Sequence, residues 1–181
     1  MFPDIRLIGV DCQMRCIVTG GGTGGHIYPA IAVGKSIRKI VPTSCVLYIG
    51  TGSGMESSLV PREGLRFEAI RSSGIVGKSP IVALKGVWNA ALGVSDARRI
   101  FHAYRPDVVL GTGGYVSGPV VLAARLMGIP CAIQEQNAIP GKTNLYLSKM
   151  VDVTFAAWEY SLQYFPKSAN VKVTGNPVRE I

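Results

Sequence analysis

The stretch Cys16-Ile17-Val18-Thr19-Gly20-Gly21-Gly22-Thr23-Gly24-Gly25-His26 decides the fold of this chain. A short apolar run is followed by five glycines in six positions and then by a histidine. The residues that come next, Ile27-Tyr28-Pro29-Ala30-Ile31-Ala32-Val33, predict the first turns of a helix. A strand, a glycine-rich turn and a helix in this order can hold a phosphate, because the glycines allow close approach of the backbone and the helix N-terminus attracts an anion.

The rest of the chain alternates short apolar strands with helical segments. Strands are predicted near residues 15–19, 45–49, 66–70, 107–110, 130–134, 152–155 and 171–173. Helices are predicted near residues 27–39, 54–62, 80–104 (with a possible break), 117–127, 140–149 and 158–164. Strands rich in Val, Ile and Leu without polar alternation are typical of parallel sheets buried on both faces. The pattern therefore predicts an α/β fold with a Rossmann-like, doubly wound, mostly parallel sheet, whose ligands bind beyond the C-terminal strand ends.

A second glycine-rich turn repeats part of the first. Gly111-Thr112-Gly113-Gly114-Tyr115-Val116-Ser117-Gly118 follows the predicted strand at residues 107–110 and shares Gly-Thr-Gly-Gly with the first turn. Two such turns at one edge of a sheet face the same cleft. We expect them to clasp a diphosphate from both sides, although glycines at any single turn are also explained by tight turning alone.

Composition bounds the possible partners. The chain has 181 residues, of which 48% are hydrophobic, and a formal net charge of +8, which fits one ordinary globular domain with a basic surface. Six basic residues against the single acid Asp96 lie between Arg71 and Arg105. Such a patch attracts nucleic acid, an anionic membrane or an anionic substrate, and no nucleic-acid motif favours the first. The sequence contains no run of 18 apolar residues, so no segment is expected to span a bilayer.

The four cysteines, Cys12, Cys16, Cys45 and Cys131, form no CxxC pair and no Cys/His cluster at zinc spacing. Cys16, Cys45 and Cys131 fall in apolar runs, so we expect buried free thiols, which fits a reducing cytosol.

Two nucleotide-binding motifs are matched only in part. Gly20-x-Gly22-x-x-Gly25 has the form of the dinucleotide motif, but that motif needs an acid at the end of the second strand. No Asp or Glu occurs between His26 and Met55, and Glu56 lies past the turn, so NAD or FAD binding is disfavoured.

A Walker A loop is also disfavoured. Gly77-Lys78-Ser79 and Gly141-Lys142-Thr143 resemble its end, but Ser72 and Gln136 stand where the earlier glycine is required.

Two residues are candidates for acid–base chemistry. His26 lies where the first glycine loop becomes a helix, beside the expected anion site, where it either makes a polar contact, acts as a general base or simply packs. Glu135, after the fifth strand, is the rival acid or base. Its alternative role is that of a structural carboxylate that accepts backbone N–H groups.

A further apolar stripe has two interpretations. Its members recur mostly at helical spacing: Ile75, Ile81, Leu84, Val87, Trp88 and Leu92, with Lys78 and Lys85 close by. The stripe is either an ordinary core-facing surface or an interfacial patch whose apolar residues enter lipid while the lysines meet anionic headgroups.

Taken together, these motifs resemble the N-terminal half of glycosyltransferase family 28, in particular its peptidoglycan N-acetylglucosaminyltransferases. The resemblance runs in order and spacing from about Met14 to the end of the chain. The matching pieces are Gly20-Gly21-Gly22-Thr23-Gly24-Gly25-His26-Ile27-Tyr28-Pro29-Ala30, Gly111-Thr112-Gly113-Gly114-Tyr115-Val116-Ser117-Gly118-Pro119, Glu135-Gln136-Asn137, Thr143-Asn144 and Gly175-Asn176-Pro177-Val178-Arg179. One departure is Gln134, where the family often has histidine before Glu-Gln-Asn.

The resemblance implies the GT-B architecture, in which two Rossmann-like domains face a cleft. It implies transfer of N-acetylglucosamine from UDP-GlcNAc to lipid I with inversion at the anomeric carbon and no catalytic metal, and this chain has no DxD motif. The enzyme would serve peptidoglycan synthesis, and through it cell shape and division, as a peripheral protein on the cytoplasmic face of the bacterial membrane.

The resemblance also implies roles for individual residues. His26 and Glu135 would be the catalytic candidates. UDP-GlcNAc would contact Thr23, Gly24, Gly25, Asn137 and Arg179. The acceptor diphosphate would be gripped by the glycine loops through Gly21, Gly22, Gly113, Gly114, Tyr115 and Ser117. The membrane patch would consist of Ile75, Lys78, Ile81, Leu84, Lys85 and Trp88.

The domain organisation is predicted on the same basis. Residues 1–13 are an extension of no assigned role, residues 14–175 form the acceptor-binding domain, and residues 176–181 begin a linker to a donor-binding domain that this chain lacks. Such a fragment is expected to be inactive alone. Two alternatives stay open: another GT-B enzyme acting on a membrane lipid such as a diacylglycerol, which is not expected to carry both Glu-Gln-Asn and the second glycine loop, and a non-catalytic membrane-binding module.

Overall fold

The structure, a computed structural model, describes residues 12–74 and 80–178, and the side chains of residues 80–85 lie outside that description. The strands are β1 (Met14–Thr19), β2 (Ser44–Thr51), β3 (Arg66–Ile70), β4 (Val108–Gly111), β5 (Cys131–Glu135), β6 (Val153–Ala156) and β7 (Val171–Val173). The helices are α1 (Gly24–Ile40), α2 (Glu56–Arg62), α3 (Pro80–Tyr104), α4 (Ser117–Leu126) and α5 (Lys142–Leu147), followed by a 3₁₀ helix at Glu159–Tyr164.

The seven strands form one sheet in the order β3-β2-β1-β4-β5-β6-β7, and every pairing among them is parallel. The predicted Rossmann-like α/β fold is therefore confirmed. The strand order reverses between β1 and β4, so the connections leave in opposite directions at this point. Ligands of open α/β sheets bind at such a switch point, and the two glycine-rich turns follow these two strands.

The core has one layer on each face of the sheet, because successive strand residues point to opposite sides. Ile17 of β1 packs with Phe101 of α3 and Val120 of α4 on one face. Its neighbours Cys16 and Val18 pack on the other face with residues of α1. Burial on both faces explains why the strands carry no polar alternation.

The cysteines differ from the prediction at one position. Cys16 and Cys131 are buried free thiols, as expected, and burial raises the pKa of the Cys16 thiol to about 11, with a further contribution from Asp107. Cys45, however, forms a disulfide with Cys12 across a Cα–Cα distance of 5.7 Å, so the expectation that Cys45 is free was wrong. The parallel register that pairs Met14 with Ser44 brings the residues before β1 alongside the start of β2.

Candidate active site

The two glycine-rich loops touch each other at the switch point. The register of β1 and β4 places Thr19 opposite Gly111. Thr112 then ties the loops together: its backbone N–H donates to Thr19 O at 2.8 Å, and its hydroxyl lies 2.6 Å from His26 O and 3.1 Å from Thr19 O. The predicted neighbourhood of the loops is therefore present in the structure.

Several loop glycines are required by this contact between loops. A side chain at Gly114, which has a φ of +78°, would overlap the backbone of Gly21, and one at Gly20 would overlap the Thr112 hydroxyl. A Cβ at Gly22 would lie 2.9 Å from the ring of Tyr115. Close packing of one loop on the other explains these positions without a phosphate.

His26 stands half-buried between the two loops. Its Nδ1 lies 3.0 Å from Thr112 O and 3.1 Å from Gln136 Oε1. A Cβ at Gly113 would come within 2.7 Å of Nδ1, so only glycine fits beside the imidazole. Two segments distant from His26 in the sequence, the turn with Thr112 and Gly113 and the loop with Gln136, thus position the histidine ring.

Two helix N-termini open at the same place. Helix α1 begins at Gly24, and helix α4 begins at Ser117; neither has a side-chain cap. The first N–H groups of a helix have no partner inside it, so both ends can accept an anion. A Cβ at Gly118 would meet nothing within 4 Å, which leaves the start of α4 open to a ligand.

Ser117 and Gly113 have internal partners. Ser117 is fully buried, and its hydroxyl accepts the Gly113 N–H at 3.1 Å while lying 2.8 Å from Gly113 O. Both groups therefore hold the shape of the second turn. Of the residues predicted for the acceptor diphosphate, Gly113, Gly114 and Tyr115 line the cavity described below, whereas Gly21 is buried.

Glu135 lies at the end of β5 with its carboxylate fully buried. Oε1 accepts from the backbone N–H and the side-chain amide of Asn137, at 2.8 and 2.9 Å. Oε2 accepts from the Gly141 N–H at 2.9 Å and from the Asn144 amide at 3.0 Å. These four hydrogen bonds close the loop between β5 and α5 around the carboxylate.

The residues predicted to contact the donor lie around the same edge. Thr23, Gly25 and Asn137 are exposed and Gly24 is half-buried. Thr23 directly precedes the first turn of α1. Asn137 donates to Glu135 through its backbone N–H and its side-chain amide nitrogen, so its side-chain carbonyl oxygen takes no part in these two hydrogen bonds. Arg179 lies outside the described residues.

Glu56 lies in the sequence past the turn at which the dinucleotide motif needs its acid. In the structure it is fully buried below the first glycine loop, where Oε1 accepts from the Thr51 N–H at 3.0 Å and the Thr51 hydroxyl at 2.7 Å. A Cβ at Gly21 would lie 2.8 Å from the same oxygen. Glu56 therefore supports the loop from beneath and is not presented to a ligand.

A cavity of about 1000 Å³ extends from these loops between α3, α4 and α5. Its polar end is formed by His26, Gly113, Gly114 and Asn144, and its walls are largely apolar, with Val94, Leu122 and Met150 among them. The site thus combines a wide apolar channel with a histidine and two helix N-termini at one end.

The predicted membrane patch is described only in part. Trp88 is 66% exposed and the adjacent Val87 is 54% exposed, on the first half of α3. Ile75 and Lys78 lie outside the described residues, as do the side chains of Ile81, Leu84 and Lys85. Among the residues that the structure describes, no helix is both long enough and apolar enough to cross a membrane.

The parallel, doubly wound sheet, with glycine loops and a histidine at its switch point, fits the N-terminal Rossmann-like domain of a GT-B glycosyltransferase. The chain belongs to glycosyltransferase family 28: the model of its N-terminal domain matches residues 16–156. The family resemblance predicted from the sequence is therefore confirmed.

The similar proteins are longer than this chain. A UDP-N-acetylglucosamine--N-acetylmuramyl-(pentapeptide) pyrophosphoryl-undecaprenol N-acetylglucosamine transferase of Thermoanaerobacter sp. (strain X514) is 48% identical over 92% of this chain and 46% of the relative. A protein of the same name, numbered 1, from Bacillus cereus (strain ATCC 14579) is 48% identical over 91% of this chain and 45% of the relative. The crystal structure of Acinetobacter baumannii MurG superposes with a TM-score of 0.76 at 36% identity, over 91% of this chain and 46% of that one. The chain therefore spans about half the length of these relatives.

Sequence reasoning missed three supporting residues. Thr112 and Gln136 hold His26 from 86 and 110 residues away in the sequence. Glu56 lies against Gly21 of the first loop, while its hydrogen bonds are to Thr51, five residues away. The occurrence of Gln136 within Glu-Gln-Asn was the one signal that pointed towards it.

Proposed function

We propose that this chain is the acceptor-binding half of an inverting N-acetylglucosaminyltransferase. The complete enzyme would move N-acetylglucosamine from UDP-GlcNAc to the muramoyl 4-hydroxyl of undecaprenyl-diphospho-muramoylpentapeptide, giving lipid II. Residues 14–175 are the acceptor domain in this proposal, residues 176–181 begin the linker, and a donor-binding domain completes the cleft. The names of the Thermoanaerobacter and Bacillus relatives support the substrates.

The observation that carries the proposal is the position of His26 at the polar end of the apolar cavity. A lipid-linked diphosphate sugar needs an apolar surface for its lipid, N–H groups for its phosphates and a base near its hydroxyl, in that order. The cavity walls, the starts of α1 and α4, and the His26 imidazole offer these three features.

The proposed step is a direct displacement. His26 accepts the proton of the acceptor hydroxyl while the oxygen forms a bond to C1 of N-acetylglucosamine. The bond from C1 to the UDP oxygen breaks, and UDP leaves with the electron pair. Glu135, whose two oxygens already accept four hydrogen bonds, shapes the loop that carries Asn137 in this scheme.

Calorimetric titration of the chain tests the proposal. We expect saturable binding of a short-prenyl diphospho-muramoylpentapeptide and at least tenfold weaker binding of UDP-GlcNAc, because Thr23, Gly24, Gly25 and Asn137 supply only one side of a donor site. The same prenyl diphosphate without the sugar is the control for lipid and phosphate contributions. Binding of UDP-GlcNAc alone would contradict the proposal, and equal binding of a diacylglycerol acceptor would favour the lipid glycosyltransferase alternative.

We also propose that the complete protein is peripheral to the cytoplasmic face of the membrane, with Trp88 in the contact surface. Trp88 is 66% exposed, and the sequence has a lysine three residues before it, at position 85; an exposed indole with a nearby cation in the sequence favours the lipid interface. In sedimentation with vesicles containing phosphatidylglycerol, Trp88→Glu is expected to reduce the bound fraction several-fold. Ile40→Glu is the matched control, since Ile40 is 79% exposed at the far end of α1. Equal loss in both variants, or in neither, would remove Trp88 from the contact.

A further inference from the structure

We propose that Gln136 is a positioning residue that holds His26 in the tautomer with its proton on Nδ1, so that Nε2 is the proton acceptor available to a ligand in the cavity. The inference rests on the proposed function only in assigning Nε2 the role of accepting the proton of the acceptor hydroxyl. The tautomer itself follows from the contacts around the ring.

The neighbours of Nδ1 are both acceptors. Thr112 O, at 3.0 Å, is a backbone carbonyl and cannot donate. Gln136 Oε1, at 3.1 Å, is an amide carbonyl with the same limitation. Nδ1 must therefore carry a hydrogen to satisfy either contact, and in the neutral ring this leaves the lone pair on Nε2.

The orientation of the Gln136 amide is set by its other partners. Its Nε2 donates to Thr112 O at 2.7 Å and to Gln134 O at 3.2 Å, and it also contacts Gln134 Oε1. All three are oxygens. Turning the amide over would place Gln136 Oε1 against three acceptors and an N–H group against His26 Nδ1, so the oxygen faces the imidazole.

Gln136 is also held from its backbone. Its carbonyl oxygen accepts the indole N–H of Trp158 at 3.1 Å, and the preceding carbonyl, that of Glu135, accepts the Ala157 N–H at 2.9 Å. Gln134, which meets the amide on its other side, is 2% exposed. The side chain that faces His26 is thus anchored at both ends, as a group that orients a catalytic base must be.

Nitrogen-15 NMR of the chain, labelled at histidine, tests the tautomer directly. The chain contains only two histidines, and His102, which is exposed on α3, is the internal reference. At a pH where both rings are neutral, we expect His26 to show a protonated Nδ1 and a bare Nε2. A protonated Nε2 on His26 would overturn the proposal without any substitution being made.

Substitution tests the part played by Gln136. Gln136→Met removes the acceptor at similar length, and we expect the His26 Nδ1 proton to exchange with water about tenfold faster, as for the loss of one hydrogen bond. Gln163→Met is the control, because Gln163 is exposed and bonds only to Tyr160 O among the contacts described for it. Unchanged exchange in Gln136→Met would show that Thr112 O suffices and would overturn the assignment.

Kinetics separates positioning from packing. In a chimera that joins residues 1–175 to the C-terminal half of the Thermoanaerobacter relative, Gln136→Met is expected to lower kcat about tenfold with little change in the acceptor KM. In a His26→Ala background the same substitution is expected to have no further effect, because Gln136 acts through the imidazole. An additive loss would contradict the proposal. If the chain bound no acceptor while His26 kept its Nδ1 proton, the proposed function would fail and the positioning would stand.

Discussion

Replacing His26 by alanine is expected to lower kcat of the chimera by about 100- to 10,000-fold, the range that a general base contributes. His26 is the one imidazole among the described residues that line the cavity, and the hydrogen-bond contacts described for its ring, to Thr112 O and Gln136 Oε1, both involve Nδ1 and not Nε2. Its loss should leave the affinity of the acceptor within a few-fold, since the helix N-termini and apolar walls remain.

The matched control is His102→Ala, which removes the same side chain from an exposed position on α3. Steady-state turnover of UDP-GlcNAc gives kcat, and calorimetry with the acceptor analogue gives the affinity. Turnover of His26→Ala near that of the unsubstituted chimera would remove the imidazole from the chemistry. A loss confined to acceptor affinity would make His26 a binding residue.

The sheet was predictable because its strands are short, apolar and separated by turn residues. All seven strands lie within two residues of their predicted positions. The helix predicted at residues 80–104 with a possible break is one element, Pro80–Tyr104. The local sequence pattern is sufficient to locate the strands, because burial on both faces of a parallel sheet makes each strand a nearly continuous run of apolar residues.

The site was predictable only as a neighbourhood. Equivalent turns after β1 and β4 must meet, because those strands pair in register. The structure gives two glycines a packing role that no single stretch of sequence indicates: Gly20 and Gly114 lie where one loop packs on the other. Such contacts depend on the distance between two backbones, and no single stretch of sequence records that distance.

The disulfide between Cys12 and Cys45 is a second contact between distant segments that the local sequence pattern does not reveal. Cys12 and Cys45 are separated by 33 residues and lie in no recognisable spacing motif. Their proximity follows from the register of β1 against β2, and this register extends past the strand through the hydrogen bond from Gln13 N to Thr43 O at 3.1 Å. A prediction that treats each apolar run alone therefore assigns Cys45 to the free thiols.

Glu135→Ala is expected to lower the free energy of unfolding by about 3–5 kcal/mol, because the buried acceptor of four hydrogen bonds is removed and its donors are left without a partner. The donors come from three residues, Asn137, Gly141 and Asn144. Glu135→Gln keeps the volume and one oxygen, so its cost should be smaller. Urea denaturation of the chain measures both variants.

The stabilities of these variants decide between the two roles that the sequence leaves open for Glu135, a catalytic acid or base and a structural carboxylate. A catalytic acid or base needs a lone pair or proton directed at substrate, whereas each oxygen of this carboxylate already accepts two hydrogen bonds. If the carboxylate is structural, Glu135→Ala should lose much of its stability, and any loss of turnover should be explained by that loss. Glu159→Ala, at an exposed acid of the 3₁₀ helix, should change stability by no more than about 0.5 kcal/mol. If Glu135→Ala were as stable as this control while the corresponding chimera lost turnover, the carboxylate would belong to the chemistry and the share assigned to His26 would have to be reduced.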